Sequence, residues 1–229
     1  VRLRGLYPIL DVATLGVPGV HAAAAVLSAG RPALLQLRAK AVDDDALVAL
    51  ARGLLARGLP APLVINDRAD VARLVGAAGV HLGQDDLSPE DARRLLPRPA
   101  LVGVSTHDLD QLDRALDADV DYVAFGPVRA TPSKARHEAP VGLEQLAEAA
   151  RRARRRRMPL VAIGGLTHAD LPSVYALGVD LVALIGALFR DPDPAAIAQA
   201  LAAAAAARPA DAEPPRAEAD DADAPRGAR

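Results

Sequence analysis

The sequence predicts an α/β protein folded as a single (β/α)8 barrel of the TIM-barrel class, on three observations. Short apolar runs recur eight times along the chain. Amphipathic helical stretches separate them, so the strands run parallel through right-handed crossovers. Most of the runs are continuously hydrophobic rather than alternating, the pattern of strands buried on both faces. An open doubly wound sheet is the structural alternative. The first strand, however, lacks the Gly-rich dinucleotide loop of many such sheets, and polar residues end many of the strands, which favours the closed barrel.

The strands are expected at 6–10, 34–37, 63–66, 80–82, 101–105, 122–125, 160–163 and 181–184. Between the second and third, residues 43–57 begin with acids and place Leu47, Leu50, Leu54 and Leu55 at helical spacing. Ser88-Pro89-Glu90-Asp91 reads as a helix start, with Ser as cap, Pro at the first position and acids in the first turn. Thr167-His168-Ala169-Asp170 repeats that logic. Gly30, Gly58, Gly79 and Gly178 each follow a helical stretch and are expected as left-handed caps.

Composition narrows the function. Hydrophobic residues make up 51% of the 229 but aromatics only 2%, so the core is aliphatic and rings for stacking on bases are scarce. A net charge of −2 gives no global field for nucleic acid. The absence of Cys excludes disulfides, thiolate catalysis and Cys-ligated zinc. No apolar run reaches membrane-spanning length without a charge or turn signal, and no signal-peptide cleavage pattern follows Arg2 and Arg4. The expectation is a cytoplasmic enzyme without nucleic-acid or membrane partners; a homo-oligomer is left open. Residues 1–207 form the catalytic barrel. Residues 208–229, rich in Pro, Ala and mixed charge, read as a disordered tail. Six arginines within 151–157 read as the solvated end of an outer helix, where cations suit the helix dipole.

In such a barrel the C-terminal strand ends form the active-site mouth. Gln36, Arg38 and Lys40 follow the second strand, Asn66 and Asp67 the third, and Gly83-Gln84-Asp85-Asp86 the fourth. Ser105, Thr106 and His107 follow the fifth, and Gly126-Pro127 and then Thr131, Ser133 and Lys134 the sixth. Gly164-Gly165 and Ile185-Gly186 end the last two. Each group alone has a plain reading: Arg38 pairing with a carboxylate, Asn66-Asp67 capping a helix, Asp85-Asp86 in a solvated loop. Gathered at one rim they point to a site, because cations and acids buried together cost desolvation that a structural rim does not require.

Asp67 and Asp86 come from adjacent strand ends and could share Mg²⁺, which takes one or two carboxylates beside substrate phosphates. Arg38, Lys40 and Lys134 would neutralise phosphate oxygens; a set of internal salt bridges is the alternative. The glycine turns after strands seven and eight suit a second phosphate, held by backbone N–H groups and a helix N-terminus. The substrates expected are therefore small phosphorylated molecules. No triad is apparent, since Ser105 and His107 are too close in sequence. His81 reads as a packed core residue, and His107, His137 and His168 as surface loop residues.

The segments QLRAK (36–40), IND (65–67), GVHLGQDD (79–86), GVS (103–105), GPVRATPSK (126–134), PVGLE (140–144) and AIGGLT (162–167) occur in the order of a known family. In these the chain resembles the thiamine-phosphate synthases over roughly residues 6–190. The resemblance implies joining of a hydroxymethylpyrimidine diphosphate to a thiazole phosphate, with release of pyrophosphate. It further implies that Gln36, Arg38, Lys40 and Asn66 hold the pyrimidine diphosphate, that Asp67 and Asp86 ligate Mg²⁺, and that Ser105 and Lys134 contact the diphosphate. Thr131, Ser133, Gly165, Ile185 and Gly186 would bind the thiazole phosphate. The implied mechanism is dissociative: pyrophosphate leaves first and the thiazole nitrogen captures a pyrimidine-methyl cation. Arg129-Ala130 stands where the family usually has an aromatic and Pro, and Gly186 where it often has Ser. The rival readings are a thiazole tautomerase on the same fold, and a non-catalytic phosphate-binding barrel.

Overall fold

Eight strands close on themselves in chain order, each pair of neighbours parallel, and the last pairs with the first. A computed structural model describes residues 3–40, 42–131 and 139–207. The expectations for Ser133, Lys134, His137 and the 208–229 tail lie outside the described residues. The strands are β1 (Gly5–Asp11), β2 (Leu35–Arg38), β3 (Leu63–Asn66), β4 (Gly79–Leu82), β5 (Leu101–Thr106), β6 (Tyr122–Phe125), β7 (Leu160–Ile163) and β8 (Leu181–Leu184). Among the described residues the helices are α1 (Val12–Val26), α2 (Asp44–Leu55), α3 (Ala69–Val75), α4 (Pro89–Leu95), α5 (Leu109–Leu116), α6 (Gly142–Arg155), α7 (Leu171–Ala176), the single turn α8 (Gly186–Phe189) and α9 (Pro194–Ala206). The fold is a (β/α)8 barrel in one domain.

Strand alternation divides the core in two. Tyr7, Ile9, Val64, Tyr122, Ala124, Val161 and Ala183 pack inside the barrel. Leu6, Leu10, Leu37, Ile65 and Val123 turn outward against helix residues such as Val20, Leu54, Leu112 and Leu201. Local signals place the helices. Asp43, Ser88, Asp108 and Asp193 accept hydrogen bonds from the N–H groups of Ala46, Asp91, Gln111 and Ala196. Thr167 and Asp170 cap each other at the 3-10 turn His168–Asp170 that leads into α7. The stretch Val12–Gly30 is long and apolar enough to cross a membrane by length and composition. Here it is broken at Gly16 (φ 63), and its Val20, Ala23, Ala24 and Leu27 are buried in the core.

Two expectations are corrected. Gly58 and Gly178 are left-handed after their helices, but Gly30 and Gly79 are not. Gly76 (φ 70) ends α3, while Gly79 opens β4, where a Cβ would lie 1.9 Å from the Leu101 carbonyl oxygen. Close strand approach, not a turn, requires glycine there. After the 3-10 turn Leu27–Gly30 the left-handed residue is Arg31, while Gly30 packs beside Leu201. Several strands also reach one residue further than the apolar runs suggest, to Asp11, Arg38 and Thr106, because backbone pairing continues past the last hydrophobic side chain.

Candidate active site

The strand C-termini surround a cavity of about 460 Å³. Gln36, Arg38, Asn66 and Ser105 line one side, and Thr131, Gly165, Ile185 and Gly186 the other. Lys40, Asp67 and Asp86 stand apart from that lining as a group of their own. The Lys40 ammonium lies 2.9 Å from an Asp67 oxygen, and the Asp86 carboxylate is close enough to Asp67 to raise its pKa. The Gly83 N–H donates to Asp86 at 2.7 Å and so fixes the loop after β4.

Asp67 holds a left-handed backbone (φ 64), a conformation that costs a non-glycine residue about 1–3 kcal/mol and collects at functional sites. Its N–H donates to the His81 carbonyl at 2.8 Å, which ties β3 to β4 where the carboxylates meet. Burial, and then the facing Asp86, raises the Asp67 pKa, while Lys40 lowers it. Two carboxylates this close repel unless a proton or cation lies between them. The donors are hard oxygens, and among the described residues no third His, Cys, Asp or Glu joins them. That suits a cation that completes its shell with water and substrate phosphate, as Mg²⁺ does. Asp67 is thus not a helix cap: no side-chain cap bond is made at the start of α3, and Arg68 there pairs with Asp44 and Asp70.

Arg38 shows the plain reading and the functional one together. Its Nη1 donates to Asp11 Oδ1 at 2.6 Å, and the other oxygen of Asp11 accepts from Thr14 Oγ1 at 2.8 Å. Asp11 and Arg38 are register partners on β1 and β2. The sequence reading missed Asp11 because it ended the strand at Leu10; one more residue would have put a carboxylate at that strand end as well. Arg38 still lines the cavity, with guanidinium donors besides the one spent on Asp11.

Below the cavity lies a second feature that the sequence reading missed. Gln36 Nε2 donates to the Tyr7 hydroxyl at 2.7 Å, and Tyr7 meets the Tyr122 hydroxyl at 2.9 Å. Tyr122 meets His81 Nδ1 at 3.1 Å, and His81 Nε2 meets Ser105 Oγ at 2.9 Å. His81 is buried, as expected of a core residue, but it lines the cavity and holds Ser105. Inward alternation could have found these residues: the barrel interior admits polar side chains only where partners reach them. Burial drives the pKa of both tyrosines upward, so they are neutral phenols.

His107 and His168 are not free surface loops. His107 Nδ1 bonds the Gly126 carbonyl at 2.6 Å, where paired β5 and β6 end side by side, and His168 Nε2 bonds the Ala200 carbonyl of α9 at 2.8 Å. Arg129 pairs with Asp170 at 2.6 Å, which links the loops after β6 and β7. Gly165 (φ 65) is needed in that link, since a Cβ would lie 2.4 Å from the Ala130 carbonyl oxygen. The expected helix-terminus contribution at Gly186 is slight, because α8 is one turn and sums few peptide dipoles. Arg190 is a further cation on the cavity wall.

The family model for thiamine monophosphate synthase matches residues 6–188. The chain belongs to the thiamine monophosphate synthase family. The family assignment agrees with individual relatives. The chain is 43% identical to the thiamine-phosphate synthase of Koribacter versatilis, over 84% of this chain and 92% of that one. It is 39% identical to that of Roseiflexus sp. RS-1, over 86% and 83%. Among solved structures, thiamine phosphate pyrophosphorylase from Pyrococcus furiosus superposes with a TM-score of 0.77 at 28% identity, covering 90% of this chain and 96% of that one.

Proposed function

We propose that the chain is a transferase that makes thiamine phosphate, joining a hydroxymethylpyrimidine diphosphate to a thiazole phosphate and releasing pyrophosphate. The observation that carries this reading is the facing pair Asp67 and Asp86 beside a cavity lined by Arg38 and Ser105. The bond from the pyrimidine methylene carbon to the diphosphate oxygen breaks, and its electron pair leaves with pyrophosphate. The thiazole nitrogen then supplies the pair for the new carbon–nitrogen bond. No proton need move to or from the protein, which fits a site organised around charge.

Mg²⁺ held by Asp67 and Asp86 would supply positive charge to the diphosphate oxygens as they become a leaving group. The chain's own part is preorganised donation. Arg38, Lys40, Ser105 and Lys134 offer donors to the diphosphate, and Gln36 and Asn66 hold the pyrimidine end. Thr131, Gly165, Ile185 and Gly186 receive the thiazole phosphate on the other wall, and Ser133 is assigned to the same substrate.

The test is pyrophosphate release with both substrates, with and without Mg²⁺. Release that requires both substrates and the metal supports the reading. Conversion of a thiazole phosphate isomer with no pyrophosphate would assign the tautomerase reaction instead.

A further inference from the structure

We propose that Tyr7, Tyr122 and His81 form a one-way hydrogen-bond chain that presents Gln36 as an acceptor and Ser105 as a donor to the substrate. Held in this direction, the chain gives the Gln36 oxygen to a ring amino group of the substrate and the Ser105 proton to a diphosphate oxygen. In substrate identity this rests on the function proposed above; in polarity it rests on geometry alone.

The direction follows from counting protons. Gln36 Nε2 can only donate, so Tyr7 accepts from it at 2.7 Å. The single Tyr7 proton then has one acceptor among the described residues, the Tyr122 hydroxyl at 2.9 Å. Tyr122, having accepted, donates its own proton to His81 Nδ1 at 3.1 Å. An imidazole that accepts at Nδ1 carries its proton on Nε2, and Nε2 donates to Ser105 Oγ at 2.9 Å. Left over at the two ends, on residues that line the cavity, are the Gln36 carbonyl oxygen with the second Nε2 hydrogen beside it, and the Ser105 hydroxyl proton.

The intervening rings are fixed. Tyr122 stacks on His81 with centroids 5.6 Å apart and meets Tyr7 edge-on at 6.0 Å. All five residues are at most 6% exposed. Water therefore has little access to break the chain, and reversal requires every link to turn over together.

The polarity matters to the chemistry. The Gln36 oxygen accepts from a ring amino group, and that bond strengthens as the ring takes on positive charge when the diphosphate departs. Ser105 donates to an oxygen that is gaining negative charge. The reversed chain would engage the Gln36 oxygen with the Tyr7 proton, leave only amide N–H groups for the ring, and place the His81 Nε2 lone pair on the Ser105 proton. That is the arrangement of a serine nucleophile and its base, and it serves a different reaction. Tyr7, Tyr122 and His81 are positioning residues, acting through Gln36 and Ser105.

The test begins with the free, full-length wild-type protein carrying ¹⁵N-labelled histidine. Two-bond ¹H–¹⁵N correlations report each tautomer, and His81→Gln identifies the His81 signals among the five histidines. The expected result is a neutral His81 with its proton on Nε2. A proton on Nδ1 overturns the proposal, whether or not pyrophosphate release is observed. In Tyr122→Phe the His81 tautomer becomes mixed, and KM for the pyrimidine diphosphate rises about tenfold, the worth of one hydrogen bond. KM for the thiazole phosphate stays unchanged, a split that a general loss of structure does not give. A Tyr122→Phe protein with the wild-type tautomer and both KM values unchanged would also overturn it. Should that variant fail to fold, the wild-type tautomer alone decides.

Discussion

Asp67 carries three marks at once: a left-handed backbone, a facing carboxylate and a pKa raised chiefly by burial. None of these helps the apo fold. Asp67→Ala and Asp86→Ala are therefore expected to lower pyrophosphate release by roughly 100-fold or more, the scale of losing one charge-stabilising group in a preorganised site. Thermal melts without Mg²⁺ should stay close to wild type, since each change removes a repulsion together with one favourable contact, Lys40 for Asp67 and the Gly83 N–H for Asp86. Unfolding of either variant would give the pair a structural role instead. These two residues were legible in the sequence because a carboxylate just past an apolar run has one place to go in a barrel. Asp11 was not, because a strand's last paired residue is set by its neighbour's backbone and not by its own side chain.

At the scale of elements, β5 and β6 show how a short motif serves the site. Gly103 lies opposite Tyr122, and a Cβ there would come within 2.0 Å of the Tyr122 ring. Gly103→Ala should displace the ring, cost about 1–3 kcal/mol in chemical unfolding through overpacking, and raise KM for the pyrimidine substrate. Wild-type stability and KM together would show that the ring can move aside freely. The glycine was visible in GVS, but its partner lies nineteen residues on and meets it only when the strands pair. The arginines at the end of α6 behave as the sequence suggested: Arg151, Arg152 and Arg156 pair with Glu148, Asp113 and Asp117 on the outside of the barrel. Replacing Arg154 and Arg155 with Ala should leave kcat and both KM values unchanged. A shifted KM would mean that this face communicates with the mouth.

For the whole molecule the two ends of the barrel divide the labour. The mouth holds facing acids and cations, whereas the opposite end holds tightly satisfied carboxylates. Asp121 accepts from the Val102 N–H, Arg93 and Arg98 at 2.6–2.7 Å, and Asp180 accepts from the Leu160 N–H at 3.0 Å. Burial alone would raise the Asp121 pKa, but the Val102 N–H and the two arginines outweigh it and lower it. The folded state therefore binds this proton less tightly than the unfolded chain. The resulting stability is complete above the unfolded value of about 4 and is lost as pH falls through the depressed folded value. Asp121→Asn should cost about 1.5–3 kcal/mol at pH 7, as for hydrogen bonds to a charged group, and the gap from wild type should close toward pH 2. A gap independent of pH would remove the electrostatic explanation. Deleting 208–229 should leave turnover and melting temperature unchanged, because its composition offers no apolar periodicity to pack; a loss of activity on truncation would show that the tail contributes to the site.

The sequence by itself determined the strand count, the parallel order, the mouth and most of its charged residues. These depend on hydrophobic period and on residue type at strand ends, both of which are local. Only the tertiary structure decided which of those charges pair with one another: Arg38 with Asp11, Lys40 with Asp67, Arg129 with Asp170. It alone joined Gln36 to Ser105 through two tyrosines and a histidine inside the barrel. The physical reason is that pairing and hydrogen-bond direction depend on distances across the closed sheet, and barrel closure sets those distances between residues as much as 115 positions apart.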